Sequence, residues 1–218
     1  MQLFIDSANP EEVKSMVDLG IIDGVTTNPT LATKAGMDYH DAVSAILNVV
    51  DGDVSLEVLA MDAHNMVEEG TKLAALGNNV VVKLPTTEAG LKALKTLNAQ
   101  GIRVNMTLVF SPNQALLVAK LGAYIVSPFA GRLDDIGQNG IDLVREIRTI
   151  YDNYNFETKI LFSSVRSPLH VKQAALLGCD IATCPADVLK KLVKHPLTDT
   201  GLKTFLEDFQ NSGQKPLV

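Results

Sequence analysis

The sequence contains only two cysteines, Cys179 and Cys184, in the segment CDIATC. This spacing fits no common zinc motif and no histidine lies near it, so it indicates neither a zinc site nor a disulfide framework. We expect two reduced, packed thiols.

No HxxxH pairing occurs among the four histidines, which are His40, His64, His170 and His195. We therefore expect them to be surface or packing residues, with no metal bound.

Long apolar runs and a basic excess are also missing. No run approaches the roughly 18 apolar residues that a membrane helix needs. The first residues, MQLFIDSANPEE, contain no basic segment, long apolar stretch or cleavage-like signal, so we expect a cytoplasmic protein. The formal net charge of -6 argues against a nucleic-acid or anionic-membrane partner but leaves room for a small cationic pocket that binds a phosphate.

No low-complexity tract or linker divides the chain, so residues 1–218 are predicted to form one domain. A repeated unit runs along it: a helix-like stretch ending in Gly, a short β-branched run, and a turn containing Pro. Five strand-like runs follow this pattern, namely GVTTNP, VVVKLP, RVNMTLVFSP, YIVSPF and CDIATCP. Three further runs read as strands: LFID at 3–6, VSLEVLA at 54–60 and TKILFSS at 158–164.

Eight strands alternating with helices predict an α/β fold, a single (β/α)₈ TIM barrel. A doubly wound open sheet is the alternative, but it usually has fewer strands, and no glycine fingerprint follows the first strand. Ser111-Pro112 and Ser167-Pro168 are typical of helix starts, with Ser as N-cap. From about residue 201, we expect a C-terminal helix and tail, which could dock on a neighbouring subunit.

Polar side chains interrupt strands that should be apolar, because barrel strands are covered on both faces. Most lie toward the carboxyl ends of the strands, which form the catalytic face of such barrels. Several are spaced two apart and therefore share one face of a strand. The candidates on or just after strands, with one aromatic neighbour, are Asp6, Asn28, Glu57, Lys83, Asn105, Thr107, Ser127, Phe129, Ser164 and Arg166.

Lys83 is the sharpest candidate, because three valines precede it and Leu84-Pro85 follow it. Burial disfavours the charged ammonium, and a neutral amine is what a Schiff-base nucleophile requires. The structural alternative is a lysine that reaches water from a strand end or pairs with a carboxylate. Asp6 and Glu57 are candidate proton carriers for such chemistry, or else salt-bridge partners of Lys83 or an arginine.

Two arginines follow late strands: Arg132 in SPFAGR and Arg166 in FSSVRSP. Barrels of this type often hold phosphate in these loops, and arginine with serine hydroxyls suits a dianion. The alternative for each arginine is an ordinary surface position.

Taken together, the motifs FID, GVTTNP, EV in the third strand, VVKLP, NMTLVFS, VSPFAGR and SSVR resemble the transaldolase family. The nearest likeness is to its small subfamily, which also contains fructose-6-phosphate aldolases. It covers essentially the whole chain in collinear order. The resemblance implies a class I aldolase-type reaction without metal or cofactor. A dihydroxyacetone unit would move from a ketose phosphate to an aldose phosphate.

The resemblance also implies a role for each candidate. Lys83 would form the Schiff base, Asp6 would be the acid/base for C–C cleavage and formation, and Glu57 would act with Thr107 on the water released. The implied substrate-binding residues are Asn28 and Asn105 for ketose hydroxyls, and Ser127, Arg132, Ser164 and Arg166 for orientation and phosphate. It further implies a homo-oligomer, as the small subfamily is similar to decamers of pentamer rings whose C-terminal helices cross between subunits.

Two alternative functions stay open. A fructose-6-phosphate aldolase would release free dihydroxyacetone; by the resemblance, aldolases carry Gln at the position of Glu57 and Tyr at that of Phe129. A non-catalytic barrel would instead bind a phosphorylated aldehyde, such as pyridoxal phosphate, through Lys83. The chain departs from many relatives at Val165, where they carry an aromatic residue, and this departure affects the predicted shape of the phosphate pocket.

Overall fold

Eight parallel strands pair in chain order, and the last pairs with the first to close a barrel. The structure, a computed structural model, describes residues 1–217, without the side chains of residues 34 and 35. The predicted (β/α)₈ TIM barrel is confirmed, and the doubly wound sheet is excluded by the closure between β1 and β8. All eight predicted strands are present, although most are shorter than the runs that predicted them.

The strands are β1 Gln2–Asp6, β2 Gly24–Thr26, β3 Asp53–Glu57, β4 Val80–Pro85, β5 Val104–Val109, β6 Ile125–Pro128, β7 Lys159–Phe162 and β8 Ile181–Cys184. The first six helices are α1 Pro10–Val17, α2 Pro29–Ala35, α3 Tyr39–Leu47, α4 Ala63–Ala74, α5 Glu88–Ala99 and α6 Pro112–Lys120. The remaining five are α7 Ala130–Asp134, α8 Gly140–Tyr154, α9 Pro168–Leu176, α10 Ala186–Leu192 and α11 Pro196–Asn211.

Alternation along the strands produces two separate cores. Outward residues such as Ile5, Val82 and Met106 pack under the helices in the larger core. Inside the barrel lies a small apolar layer, made of Phe4, Val81, Ile125, Leu161 and Ile181. Because side chains point inward at every second position, the next inward residue on each of these strands lies one layer nearer the carboxyl end. That upper layer is polar.

The inward residues of the upper layer come from all eight strands or the residue just after one of them. They are Asp6, Thr26, Ser55, Lys83, Asn105, Ser127, Ser163 and Thr183, and all but Asp6 are buried. The apolar layer beneath them closes the barrel interior, so these groups can meet a ligand only from the carboxyl-end side. Sequence alternation therefore places the candidate site in the position that serves as the active site in barrels of this kind.

The helix starts agree in part with the predicted caps. Ser111 forms a capping box with Gln114 at the start of α6, as expected from Ser111-Pro112. Ser167 occupies the N-cap position of α9, but its side chain makes no cap hydrogen bond. Among the helices within residues 1–217, none has the length and apolar character that crossing a membrane requires.

Both cysteines are buried and unpaired, as expected. Burial raises the pKa of each thiol to about 12, which keeps the thiols protonated and unreactive at neutral pH.

Candidate active site

Most of the predicted site residues surround one cavity of about 210 Å³ at the carboxyl ends of the strands. The predicted residues in its lining are Asp6, Asn28, Lys83, Ser127, Phe129, Arg132, Ser164 and Arg166. A neighbouring pocket shares four of these residues and adds Glu57 and Thr107. Asn105 is fully buried beside them on β5. The structure therefore brings all the candidates to one end of the barrel.

Lys83 is buried, with 5 % of its surface exposed. Its Nζ lies 3.0 Å from Glu57 Oε2 and donates a hydrogen bond of 3.1 Å to the carbonyl oxygen of Thr27. Glu57 lies directly opposite Lys83 in the pairing of β3 with β4, so the strand register itself brings the amine and the carboxylate together. The structural alternative for Lys83, an ion pair, is thus present, and it places a proton acceptor beside the amine.

Asp6 ends β1 on the other side of the cavity. Its Oδ1 accepts a 2.7 Å hydrogen bond from Thr26 Oγ1, and this hydroxyl lies 2.6 Å from Thr183 Oγ1. Burial raises the pKa of Asp6 more than the Thr26 hydrogen bond and the charge of Lys83 lower it. A carboxyl group whose pKa is raised toward neutrality can both donate and accept a proton.

Asn105 is held from both ends of its side-chain amide. Its Nδ2 donates to Ser55 Oγ at 3.1 Å, and its Oδ1 accepts from Ser127 Oγ at 2.6 Å. It also lies opposite Lys83 in the β4–β5 register. These hydrogen bonds link β3, β5 and β6 beneath the cavity and fix the wall beside the lysine.

Among the described candidate residues, Thr107 has a buried hydroxyl without a partner. Its Oγ1 is buried and makes no hydrogen bond within the described part of the chain. The next residue, Leu108, has φ 59°, and the β5–β6 register shifts between Met106 and Val109. A non-glycine residue in the left-handed region costs about 1–3 kcal/mol and is common near functional sites. This register shift is a β-bulge, which changes the direction of β5 next to the unpartnered Thr107 hydroxyl.

Asn28 lines the cavity and uses one half of its amide to start a helix. Its Oδ1 caps α2 by accepting the backbone N–H of Leu31 at 3.0 Å. Within the described residues the Nδ2 group makes no hydrogen bond, so it remains an available donor. Asn28 is therefore suited to donate a hydrogen bond to a hydroxyl oxygen of a ligand.

Phe129 and Arg132 form the wall that follows β6. The guanidinium of Arg132 lies over the Phe129 ring, 4.8 Å from its centroid, and Phe110 packs edge-on against the same ring at 5.7 Å. Among the described side chains, no carboxylate pairs with Arg132. An arginine oriented by an aromatic ring but unpaired has its donors available for an anion.

Ser164 and Arg166 follow β7 on the next side of the cavity. Ser164 has φ 61°, and its carbonyl oxygen approaches Gly131 so closely that a Cβ on Gly131 would lie 1.8 Å from it. Gly131 is therefore required for this contact between α7 and the loop after β7. The guanidinium of Arg166 pairs with Asp135 at 2.6 Å, with both side chains about half exposed.

Among the described side chains, one group could hold a metal ion, and it lies at the start of α3 rather than in the cavity. Asp38, His40 and Asp41 are all exposed there. The Asp38 carboxylate accepts the backbone N–H groups of His40 and Asp41, so it functions as the N-cap of α3.

A comparison with known proteins decides the family. The sequence model of the transaldolase/fructose-6-phosphate aldolase family matches residues 3–215. The chain belongs to this family. It is 56% identical over 216 residues to a probable transaldolase of Hydrogenobaculum sp. (strain Y04AAS1), covering 99% of this chain and 100% of that protein.

Two other probable transaldolases have similar sequence identities to this chain. A probable transaldolase of Aquifex aeolicus (strain VF5) is 55% identical over 216 residues, covering 99% of this chain and 100% of that protein. A probable transaldolase of Geotalea uraniireducens (strain Rf4) is 52% identical over 210 residues, covering 96% of this chain and 98% of that protein. The likeness thus extends over the barrel as a whole, and the protein is an enzyme of the transaldolase/aldolase class.

Sequence reasoning missed several polar groups that contact the predicted site residues. Thr26 and Thr183 orient Asp6, and Ser55 holds Asn105. The Tyr39 hydroxyl lies 3.1 Å from Thr27 Oγ1, and the carbonyl oxygen of Thr27 accepts the hydrogen bond from Lys83. The inward alternation on each strand could have indicated the first three. No local pattern indicates Tyr39, because it reaches the barrel from the first turn of α3.

Proposed function

We propose that the protein is a cytoplasmic transaldolase of the pentose phosphate pathway, acting without metal or cofactor. It would transfer a dihydroxyacetone unit from fructose 6-phosphate or sedoheptulose 7-phosphate to glyceraldehyde 3-phosphate or erythrose 4-phosphate. One observation carries the proposal: a buried lysine amine, Lys83, faces a carboxylate on one side and a cavity with two arginines on the other. Such a lysine is suited to form a Schiff base with a phosphorylated ketose.

Imine formation would use Glu57. Its Oε2 lies 3.0 Å from Lys83 Nζ, so it can accept the ammonium proton and leave the amine neutral. The amine adds to carbon 2 of the ketose, and the resulting hydroxyl must take up a proton to leave as water. Glu57 can return that proton, while the unpartnered Thr107 hydroxyl in the same pocket can hold the departing water.

Cleavage of the carbon–carbon bond would use Asp6. Its carboxylate takes the proton of the hydroxyl on carbon 4, the bond between carbons 3 and 4 breaks, and its electron pair moves toward the iminium nitrogen. The aldose leaves as an aldehyde, and an enamine stays on Lys83. Attack of the enamine on the acceptor aldehyde reverses these steps, with Asp6 returning the proton. The raised pKa of Asp6 suits a group that performs both transfers.

The phosphate end of the substrate would lie against Arg132 and Arg166, with Ser164 beside them in the cavity lining. Asn28 would donate to a ketose hydroxyl through its free amide group. A contact between Asn105 and the sugar stays a prediction, as its amide already has protein partners at both ends; Ser127, one of these partners, lines the cavity.

Borohydride reduction in the presence of fructose 6-phosphate tests the proposal directly. Reduction should trap one three-carbon or six-carbon adduct, and peptide mass mapping should place it on Lys83. Labelling of another lysine, or none, would contradict the mechanism. A stable pyridoxal-type chromophore on the purified protein, without turnover of sugar phosphates, would instead favour a non-catalytic aldehyde-binding barrel.

Phe129 favours transfer over release of free dihydroxyacetone. Its ring is fixed between Phe110 and Arg132 and lines both pockets around Lys83. It presents no hydroxyl that could hold a water or donate a proton to the enamine carbon. Glu57 adds an ionisable group where the resemblance gives aldolases Gln. We therefore infer that the enamine survives until an acceptor arrives.

Product analysis with and without erythrose 4-phosphate tests this partition. Transfer should far exceed net cleavage of fructose 6-phosphate in the unmodified protein. Phe129→Tyr should raise dihydroxyacetone release relative to transfer by roughly 2- to 10-fold, the equivalent of one new hydrogen bond to the hydrolytic water. Glu57→Gln should add to that change. Cleavage as fast as transfer in the unmodified protein would reassign it as an aldolase.

The last helix supports assembly into a homo-oligomer. No residue of α11 is buried among the described side chains, and Leu202, Phe205 and Leu206 are each more than half exposed. Large exposed apolar groups on one helix are typical of an interaction surface. We propose that α11 packs against a neighbouring subunit, as in a decamer of pentamer rings. Sedimentation analysis should show an oligomer that Phe205→Glu with Leu206→Glu weakens; a monomeric unmodified protein would contradict the proposal.

A further inference from the structure

Arg166 is connected to the end of α7 in two ways, directly through its side chain and indirectly through His170. Its side chain pairs with Asp135. Its backbone N–H donates to His170 Nδ1 at 3.3 Å, and His170 Nε2 lies 3.2 Å from Asp134 Oδ2. Asp134 and Asp135 stand at the end of α7, which also carries Arg132.

The hydrogen bonds define the tautomer of His170. Because Nδ1 accepts the Arg166 N–H, the ring proton must lie on Nε2, where it is donated to Asp134. The other oxygen of Asp134, Oδ1, accepts the backbone N–H of Gly140 at 2.9 Å. The ring packs against Phe162 at 5.7 Å, and the His170 side chain is only 14 % exposed. The hydrogen bonds thus fix the orientation of the ring and select one tautomer.

The same kind of contact, from a backbone N–H just before the N-cap to the third helical side chain, occurs at the start of α6. There it belongs to a capping box, whereas in α9 it has a different role. In α6 the third helical residue, Gln114, accepts the N–H of Phe110 at 2.8 Å and also the N–H of the N-cap Ser111. In α9 the third helical residue is His170, and Ser167 makes no side-chain cap bond. The α9 version therefore does not complete a capping box. It connects the backbone of Arg166 to α7.

We infer that His170 and Asp134 are positioning residues that hold Arg166 toward the phosphate of the donor and so set the preference for phosphorylated ketoses. This inference rests on the proposed function. The Asp134–His170 pair fixes the Arg166 backbone to the helix that presents Arg132, and the close contact of Gly131 with the Ser164 carbonyl binds the same two segments. The distance between Arg132 and Arg166 then stays constant, as the binding of one dianion by two guanidinium groups requires.

Asp134→Asn breaks this arrangement without changing the size of the side chain. An asparagine that keeps the Gly140 contact must turn its NH₂ group toward His170 Nε2, which moves the ring proton to Nδ1, facing the Arg166 N–H. The reverse orientation places the NH₂ group against the Gly140 N–H. One contact is lost in either case. His170→Phe keeps the ring against Phe162 and removes both nitrogens.

His170→Gln is the rescue variant, because Gln114 shows that glutamine at this helix position accepts the same backbone N–H. Asp142→Asn is the matched control, since Asp142 is a nearby α8 carboxylate that contacts only Asn139 and Arg145 among the described side chains. Arg166→Gln reports whether Arg166 itself contributes to phosphate binding.

The measurement is the ratio of kcat/KM for fructose 6-phosphate to that for fructose, with unphosphorylated erythrose as acceptor. Only the donor then carries phosphate, and both donors give sedoheptulose as the transfer product. Asp134→Asn and His170→Phe should each lower the ratio by about 3- to 10-fold, the range for one lost hydrogen bond. Both should weaken competitive inhibition by inorganic phosphate to a similar degree. His170→Gln and Asp142→Asn should stay within about 2-fold of the unmodified protein.

Each contrary result has a separate meaning. Equal losses for both donors would show a purely structural role and overturn the inference. The inference would also be overturned if Asp134→Asn and His170→Phe left the ratio unchanged while Arg166→Gln lowered it. The proposed function would stand in that case. An unchanged ratio in Arg166→Gln would overturn the phosphate role of Arg166 together with this inference. Failure of the borohydride adduct at Lys83 would remove the transaldolase proposal itself.

Discussion

The two ends of the barrel both hold buried or half-buried charges, but they satisfy them differently. At the amino end, Asp53 accepts from Arg103 and, at 2.9 Å, from the Tyr124 hydroxyl. Lys159 donates to the same hydroxyl at 2.8 Å and lies over its ring. Every charged group of this cluster has a partner within the described residues. The cluster is a closed network that completes the floor of the barrel.

At the carboxyl end, partners are incomplete. The Thr107 hydroxyl has none within residues 1–217, Arg132 pairs with no described carboxylate, and the pKa of Asp6 is raised by burial. The unpartnered Thr107 hydroxyl and the buried Asp6 carboxyl each cost free energy in the protein alone, since an unsatisfied buried polar group is expensive. Arg132 is exposed, so its guanidinium stays solvated without a partner. The same residue types are therefore paired at the amino end and left partly unpaired at the carboxyl end. Four experiments test this difference.

The two strand-borne lysines provide the largest contrast. Lys83→Met should reduce transaldolase activity more than about 1,000-fold, because no other group can replace the covalent nucleophile. Lys159→Met should retain activity within about threefold and instead lower the melting temperature, because it removes the donor to Tyr124. Activity assays and thermal unfolding of both variants decide the question. An inactive Lys159→Met protein with normal stability would contradict a purely structural role for the charged cluster at the amino end.

Arg132 should matter for binding but not for folding. Arg132→Gln should lower kcat/KM for phosphorylated donors by about 10- to 100-fold, the equivalent of a lost hydrogen bond to a charged group. Unphosphorylated donors should lose far less, and the melting temperature should hardly change, because the described structure gives Arg132 no carboxylate partner. A large loss of stability would show that Arg132 is a structural residue after all.

Asp53 should show the opposite behaviour. Asp53→Asn leaves Arg103 without its charged partner and weakens the Tyr124 contact, so the free energy of unfolding should fall by about 1–3 kcal/mol. Urea unfolding measures this loss, and kcat per folded molecule should be unchanged. Asp135→Asn, which breaks an ion pair with both partners about half exposed, is the control and should change stability by less than about 1 kcal/mol.

The smallest effect concerns the pH dependence of stability. Because the pKa of Asp6 is raised in the folded protein, the folded state holds this proton to a higher pH than the unfolded state. Stability contributed by Asp6 is therefore lost as pH rises from its usual pKa of 3.8 through the raised value. Asp6→Asn should melt at a higher temperature than the unmodified protein near neutral pH, and the difference should shrink toward acidic pH. A difference that grows on acidification would mean that the pKa of Asp6 is lowered.

Much of this architecture was predictable because it depends on local patterns. Alternation placed Lys83 and Asn105 on inward faces, and the carboxyl-end rule brought them together. The β3–β4 register that faces Glu57 with Lys83 was not predictable, since it depends on how two strands with a helix between them align. Nor was the left-handed backbone of Leu108, because no local motif marks a leucine for that conformation.

The site's supporting contacts were the least predictable part. Thr26 joins Asp6 to Thr183 across the seam where the first and last strands meet, and sequence distance hides that contact. His170 was expected to be an ordinary surface or packing residue, yet its ring nitrogens connect Arg166 with Asp134. Such contacts depend on loops whose paths local propensity does not determine.

The seam between β1 and β8 has a consequence for biosynthesis. Asp6, the proposed acid/base, belongs to β1 and is synthesised well before Thr183, which steadies it through Thr26 and belongs to β8. A nascent chain that ends before β8 already contains Lys83, Glu57 and both arginines, but its first strand still has a free edge. Such a fragment would be aggregation-prone and would lack the Thr183 contact that steadies Asp6 through Thr26. Catalytic competence should therefore appear abruptly, at the moment when synthesis completes the ring.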